Sequence, residues 1–207
     1  DVAQKGDELV CILLSSALSG TYQSAVLAKS MVEYDHIYLV DSLTATCNIM
    51  VMADHACSLR EQGMGGADIA AQMEALKSRV HVVAALDTLE YLSRGGRLNK
   101  TAAAIGDMAG IKPIITLTAD GAVGILGKCL GKNKAICAIK KRMLEQKIDT
   151  SFPVYSIYSY GTDNCTLFEE KLGQEGIRTD KRLQIGPTIG SHIGPEAFGI
   201  IFVTQAS

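Results

Sequence analysis

Residues 9–24 read LVCILLSSALSGTYQS, and this stretch decides which kind of fold the chain adopts. The apolar run from Leu9 to Leu14 predicts a buried strand. Helical spacing from Ser19 to Glu33 predicts a helix after it, and the run from His36 to Val40 predicts a second strand. This order of strand, helix and strand is typical of a parallel α/β sheet.

The rest of the chain continues the alternation of strands and helices. Further helices are predicted at residues 46–62, 65–79, 87–92, 99–108, 132–147 and 165–175, and further strands at 80–86, 112–117, 123–129, 154–160 and 181–185. Asp120-Gly121 between two of these strands is a hairpin signal, so the second half should contain antiparallel pairing. We predict two α/β domains: residues 1–79 with a parallel sheet flanked by helices, and residues 80–207 with a smaller mixed sheet and helices.

Composition and charge narrow the possible functions. The chain has 207 residues and a formal net charge of -2, so it shows no basic footprint for nucleic acid or an acidic membrane. No apolar run reaches the roughly 18 residues needed to span a bilayer, and the first residues lack the apolar stretch of a signal peptide. We expect a cytoplasmic protein that neither binds nucleic acid nor inserts stably into a membrane.

Cysteines and histidines show no pattern for metal binding. The six cysteines include no Cys-x-x-Cys pair, and Cys11, Cys47 and Cys57 lie in apolar stretches, so they predict reduced, buried thiols. The histidines His36, His55 and His81 have no metal-ligand spacing with one another or with cysteines, so no metal is expected.

The segment after the first predicted strand has the composition of an anion cradle. Four hydroxyls stand within residues 15–21, beside Gly20, where a helix N-terminus would present backbone N–H groups. The alternative is a well-capped helix, because a Ser or Thr cap contributes about 1 kcal/mol by itself. The density of hydroxyls exceeds what one cap needs.

Two further segments carry candidate binding residues. His192 stands among glycines in IGPTIGSHIGP, residues 185–195, and its imidazole could donate to a ligand carboxylate or phosphate, or hydrogen-bond a loop carbonyl as a structural residue. Arg94-Gly95-Gly96-Arg97 could form a surface turn with two solvated arginines. Alternatively, its bare backbone and guanidinium groups could bind a carboxylate, a phosphate or a partner protein. Sequence spacing alone does not pair His192 with Ser19.

Three blocks in this order resemble the DegV proteins, a bacterial fatty-acid-binding family that includes the lipid-carrier subunits of fatty acid kinase. The blocks are SALSGTYQSA at 16–25, DTLEYLSRGGRL at 87–98 and IGPTIGSHIGP at 185–195. The resemblance implies two α/β domains with a long-chain fatty acid between them. It implies that Ser19 and His192 hold the carboxylate, and the cradle residues Ser16, Gly20 and Thr21 are candidates beside them.

The resemblance also implies a partner and a non-catalytic role. In carrier members the arginine of Gly-Gly-Arg lies near the carboxylate and the kinase contact, which maps onto Arg97, with Arg94 a second candidate. The catalytic subunit of a fatty acid kinase then forms the acyl phosphate, so the carrier needs no cofactor beside its bound fatty acid. The apolar segments 105–115 and 123–130, with Met108, are candidates for the acyl slot or plain core.

The sequence departs from the family pattern in two places. The family normally begins with a further segment that holds an early Asp-Ser-Thr strand and a Thr-Ser pair, so we expect the numbered chain to lack part of the first domain and one carboxylate ligand. Glu196 stands where the family often has a second glycine, and its carboxylate could repel an anionic ligand or point to solvent.

Two alternative functions use the same residues. A Ser/His acyl hydrolase would use Ser19 as nucleophile and His192 as base, but the chain has no Gly-x-Ser-x-Gly elbow and no nameable acid partner for His192. A phosphate- or nucleotide-binding regulator would use the cradle for a phosphate. That function would favour more basic residues near the cradle than Lys29 alone.

Overall fold

The structure, a computed structural model, describes residues 2–98 and 110–206. The chain divides into two compact units. The residues up to Val80, together with the hairpin turn Ala119–Ala122, form the first, and the described residues of 81–118 and 123–206 form the second.

The first unit is built on a parallel pair of strands, β1 (Leu9–Leu13) and β2 (Ile37–Asp41), in which Leu9 lies opposite Ile37. This confirms the parallel pairing predicted from the first strand, helix, strand pattern. Its helices are α1 (Val2–Lys5), α2 (Thr21–Ser30), α3 (Cys47–Glu61) and α4 (Gly66–Leu76), and a short 3-10 turn, Lys77–Arg79, leads out of α4.

Helix α4 shows how the sequence selects the core of this unit. Ile69, Met73 and Leu76 recur at intervals of four and three residues, lie on one face and are all buried. Asp68 lies in the first turn, where its negative charge interacts favourably with the positive end of the helix dipole. Helix α2 differs, because none of its residues is buried and Leu27 is 64% exposed.

The second unit contains a six-stranded sheet with the order β5-β4-β3-β8-β6-β7. Its strands are β3 (Val80–Ala85), β4 (Ile111–Leu117), β5 (Val123–Leu130), β6 (Tyr155–Tyr158), β7 (Lys181–Gln184) and β8 (Phe198–Val203). Strands β6 and β7 are parallel, whereas β4 and β5 form the antiparallel hairpin that Asp120-Gly121 predicts. Gly121 has a φ of 80°, which glycine adopts readily.

Helices cover this mixed sheet. They are α5 (Glu90–Arg94), α6 (Lys132–Leu144), α7 (Asp163–Gly173) and α8 (Pro187–Ile193). The core packs Ile136 and Ile139 of α6 and Phe168 of α7 with Phe198 and Ile200 of the fully buried strand β8.

Three expectations need correction or fall outside the structure. The mixed sheet was predicted to be the smaller of the two, yet in the described part of the chain it has six strands against two. All five strands predicted after residue 79 join this one sheet, and β8 adds a sixth between β3 and β6. Residues 187–193, where the sequence predicts neither a helix nor a strand, form α8, with Pro187 in its first turn. The predicted helix at 99–108 lies outside the described residues.

The cysteines are less buried than predicted. Cys57 and Cys137 are exposed, Cys11, Cys47 and Cys129 are half-buried, and Cys165 is buried, while all six thiols are free. Apolar neighbours in sequence do not bury a residue on the outer face of a helix, as Cys57 on α3 shows.

The helices of the described segments do not provide a membrane span, since none is both long and apolar enough to cross a bilayer.

Candidate functional site

The loop between β1 and α2 presents a pair of hydroxyls at the start of the helix. Ser19 Oγ and Thr21 Oγ1 lie 2.8 Å apart, and the Thr21 N–H donates to Ser19 Oγ at 3.3 Å. Ser15 is turned the other way, because its fully buried hydroxyl donates to the Gly121 carbonyl at 2.8 Å. Ser19 and Thr21 thus present their hydroxyls at the start of the helix, whereas Ser15 anchors the loop to the hairpin turn.

Some backbone N–H groups of this loop donate to acceptors within the protein, and others do not. The Ser16 N–H donates to Asp41 Oδ1 at 3.1 Å, and the Ser19 N–H donates to the Ser15 carbonyl at 3.1 Å. The N–H groups of Gly20, Tyr22 and Gln23 have no acceptor among the residues that the structure describes. An anion at this helix N-terminus would meet two hydroxyls and these donors.

Asp41 brings a negative charge to the same edge of the parallel pair. Its Oδ1 accepts hydrogen bonds from the N–H groups of Ser16 and Leu43, at 3.1 and 3.2 Å. The carboxylate thus ties the loop after β1 to the loop after β2 and satisfies the Ser16 N–H. The Ser16 hydroxyl has no partner within residues 2–98 and 110–206.

In the second unit, His192 lies in the last turn of α8 and is half-buried. Its Nδ1 is buried without a hydrogen-bond partner in the described part of the chain, whereas Nε2 is not among the buried, unpartnered atoms. A Cβ built on Gly95 would lie 2.2 Å from Nδ1. The structure therefore brings the Gly-Gly-Arg block directly against the histidine block.

A second close approach joins the same two blocks, and here the glycine belongs to the histidine block and the ring to the Gly-Gly-Arg block. A Cβ built on Gly194 would lie 2.3 Å from Cδ2 of Tyr91, which belongs to α5. The Ser159 hydroxyl donates to the Gly194 carbonyl at 2.7 Å and accepts from the Ala197 N–H at 3.0 Å. Each block thus supplies a glycine against the ring of the other, and Ser159 holds the turn after His192.

The two predicted arginines have different surroundings. Arg97 is exposed, and its Nη1 donates to the Gly95 carbonyl at 2.7 Å, so its guanidinium is anchored on the glycine that packs against His192. Arg94 pairs with Glu90 one turn earlier in α5, and its side chain is 76% exposed.

The Glu196 carboxylate is turned toward the start of α7. Asn164 Nδ2 donates to Glu196 Oε2 at 2.9 Å and to the Glu196 carbonyl at 3.0 Å. The residue is half-buried and its carboxylate is hydrogen-bonded, so it does not point freely into solvent. Its φ of 62° lies in the left-handed region, which explains why glycine suits this position.

The family follows from comparison with known proteins. A family model described as "Uncharacterised protein, DegV family" matches residues 1–205. The chain belongs to the DegV family. A DegV domain-containing protein of Clostridium acetobutylicum is 32% identical over 204 residues, which covers 98% of this chain and 72% of that relative.

Solved DegV structures share the fold. A fatty-acid-binding DegV family protein from Thermus thermophilus superposes with a TM-score of 0.84 at 28% identity, over 98% of this chain and 73% of the other. A fat acid (stearic acid)-binding protein from Eubacterium ventriosum superposes with a TM-score of 0.83 at 26% identity, over 98% of this chain and 72% of the other. The two α/β domains of such structures match the two-unit α/β architecture of this DegV chain.

The predicted site residues fall into two groups in this DegV protein. The residues of the loop and helix start after β1 lie in the first unit: Ser16, Ser19, Gly20 and Thr21. The other candidates, His192, Arg94 and Arg97, lie in the second unit. Sequence reasoning missed the roles of Gly95, Gly194, Tyr91 and Ser159. The sequence shows that Gly95 lies near Tyr91 and Gly194 near His192. It does not show that each glycine packs against the ring of the other segment, about a hundred residues away.

Proposed function

We propose that this DegV protein binds a long-chain fatty acid and acts as a non-catalytic carrier. The observation that supports this most strongly is its similarity, over 98% of the chain, to solved DegV proteins described as binding fatty acids, one of them stearic acid. A fatty acid needs a few polar groups for its carboxylate, while each buried CH₂ contributes about 0.8 kcal/mol.

The carboxylate is held by Ser19 and His192. The Ser19 and Thr21 hydroxyls, 2.8 Å apart, can both turn toward one anion, and the N–H of Gly20 adds a backbone donor, with the Ser16 hydroxyl as a further candidate. The imidazole of His192 leaves Nε2 available to donate. Hydrogen bonds to an ionised carboxylate are about twice as strong as neutral ones.

The surroundings of the same residues favour a carrier over a Ser/His hydrolase. A triad needs a carboxylate that orients the histidine, and Nδ1 of His192 faces Gly95 instead. The Ser19 hydroxyl pairs with the Thr21 hydroxyl, which is not a base. The proposed site therefore binds its ligand without activating a nucleophile, and the proposal includes no cofactor beside the fatty acid.

The proposed partner is the catalytic subunit of a fatty acid kinase, in the cytoplasm. Arg97 is exposed on the turn after α5, with its guanidinium anchored to the Gly95 carbonyl, so it presents a fixed cation to an acyl phosphate or to a partner. Arg94 flanks it one turn earlier.

The test of the carboxylate site is Ser19→Ala, with Ser24→Ala on the exposed surface of α2 as its control. Loss of a charge-assisted hydrogen bond should weaken binding of stearic acid by roughly 1.5–3 kcal/mol, about ten- to a hundredfold. Calorimetric titration of folded protein measures this change. An unchanged affinity for Ser19→Ala, beside a wild type that binds, would remove Ser19 from the site.

The partner proposal has its own test. Arg97→Ala should slow acyl phosphate formation by a purified fatty acid kinase catalytic subunit more than it weakens retention of stearic acid. Arg178→Ala, at another exposed arginine of the second unit, is the control. Equal losses of phosphorylation and retention would refute a partner-facing role for Arg97.

A further inference from the structure

We infer that Gly95 is a positioning residue for His192: it holds the imidazole with Nδ1 buried and with its single N–H on Nε2. The inference rests on the proposed function in so far as His192 binds a carboxylate, but the ring geometry stands without it.

The space around Gly95 shows why this residue is glycine. Its φ of -73° and ψ of -7° are open to every L-amino acid, so the backbone does not demand glycine. A Cβ at this position would lie 2.2 Å from His192 Nδ1 and 2.9 Å from Cε1, closer than real contacts allow. Neighbouring Gly96 shows the opposite case, with open space around it and a φ of 68°. Gly95 is therefore required by the histidine ring, and Gly96 by the backbone turn.

The contact also selects the tautomer of His192. Nδ1 is buried and has no acceptor among the described residues, so a proton there would be an orphaned buried donor, which folded proteins rarely tolerate. A bare Nδ1 lone pair against the glycine backbone is the less costly state. The proton of the neutral ring therefore lies on Nε2, where it can donate to an anion.

The same glycine fixes the arginine of its block. The Gly95 N–H donates to the Tyr91 carbonyl at 2.8 Å, and its carbonyl accepts from Arg97 Nη1 at 2.7 Å. Tyr91 in turn packs its ring against Gly194, two residues after His192. A side chain at Gly95 would thus displace His192 and disturb the support of Arg97 together.

The experiment compares Gly95→Ala with Gly173→Ala, since Gly173 ends α7 in open space without a left-handed φ. Nitrogen-15 NMR of the imidazoles reads the tautomer directly. We expect wild type and Gly173→Ala to show His192 with its proton on Nε2, and Gly95→Ala to lose that signature and to bind stearic acid at least tenfold more weakly.

A double-mutant cycle keeps the inference testable if Gly95→Ala unfolds. In a His192→Ala background the ring is gone, so adding Gly95→Ala should leave the melting temperature nearly unchanged, whereas it lowers that temperature in the wild-type background. An equal loss in both backgrounds, or a wild-type His192 with its proton on Nδ1, would overturn the inference. A wild type that does not bind stearic acid but shows the Nε2–H tautomer would contradict the carrier proposal alone.

Discussion

At the scale of single residues, Glu196 occupies a backbone conformation that glycine adopts without strain. Its φ is 62°, and its side chain accepts one hydrogen bond from Asn164. A left-handed conformation costs a residue with a Cβ roughly 1–2 kcal/mol. The Asn164 contact with the carboxylate offsets part of that cost.

Glu196→Gly should therefore be more stable than Glu196→Ala by about 1 kcal/mol, because both lose the carboxylate and only alanine keeps the strained Cβ. Urea unfolding of the two variants measures the difference. The reverse order, which holds at ordinary positions where alanine is more stable than glycine, would show that the left-handed conformation carries no strain here.

Cys165 is the thiol that the fold protects most strongly. Burial and, to a smaller extent, the neighbouring Glu169 carboxylate raise its pKa to about 11. Since the thiolate is the reactive form, Cys165 should resist alkylation by iodoacetamide at pH 7.5 while the exposed Cys57 and Cys137 react.

Peptide mass spectrometry after timed alkylation checks this order, and protein in concentrated urea, where all six cysteines should react, is the control. Alkylation of Cys165 as fast as Cys57 in the native protein would mean that α7 opens readily from the sheet.

The candidate site was only partly predictable at this scale. Ser19 and Thr21 lie close in sequence, so their place at a helix start follows from local pattern. The contact between Gly95 and His192 joins positions in distant segments, and nothing local to either residue encodes it. The engagement of the Ser16 N–H by Asp41 likewise depends on how two strands pair.

At the scale of elements, an ion pair fastens the parallel strands β6 and β7 to α7. Arg182 of β7 donates through Nε to Glu169 Oε1 at 3.0 Å, and the buried Ser156 hydroxyl of β6 donates to the same oxygen. Hydrogen bonds from Arg182, and more weakly from Ser156, lower the pKa of Glu169. The Arg182 side chain is 34% exposed and that of Glu169 is 22% exposed, so solvent screens part of their attraction.

Arg182→Met should lower the free energy of unfolding at pH 7 by about 1–2 kcal/mol. Because the folded pKa of Glu169 is lowered, the stabilisation is complete above the ordinary glutamate pKa of about 4.3 and is lost as the pH falls through the folded value. Denaturant unfolding across this range should therefore show the deficit of Arg182→Met shrinking in acid.

Arg178→Met, at an exposed arginine before β7, should lack this pH dependence. A deficit for Arg182→Met that stays constant into acid would assign its effect to lost packing instead of to Glu169.

Helix α8 shows where patterns along the chain mislead. Glycines at 186, 190 and 194 give residues 185–195 the composition of a loop, yet Pro187 in the first turn and Gly194 after the last delimit a helix of seven residues. Of these three glycines, Gly194 packs against the Tyr91 ring, whereas Gly186 and Gly190 face open space. The contact of Gly194 is visible only once its distant neighbour is known.

At the scale of the whole molecule, the alternation of strands and helices was sufficient to predict two α/β units, and Asp120-Gly121 was sufficient to predict the antiparallel hairpin. The order of the strands in the mixed sheet was not predictable, because β8, last in sequence, lies between β3 and β6. Nonlocal pairing of this kind depends on which apolar faces fit together, and a single sequence does not state it.

The most direct test of the carrier proposal is native and denaturing mass spectrometry of the purified protein, with organic extraction of whatever co-purifies. We expect a long-chain fatty acid at close to one molecule per chain, or stoichiometric uptake of added stearic acid by empty protein. A protein that stays empty with stearic acid in excess, and instead retains inorganic phosphate or a nucleotide, would contradict it.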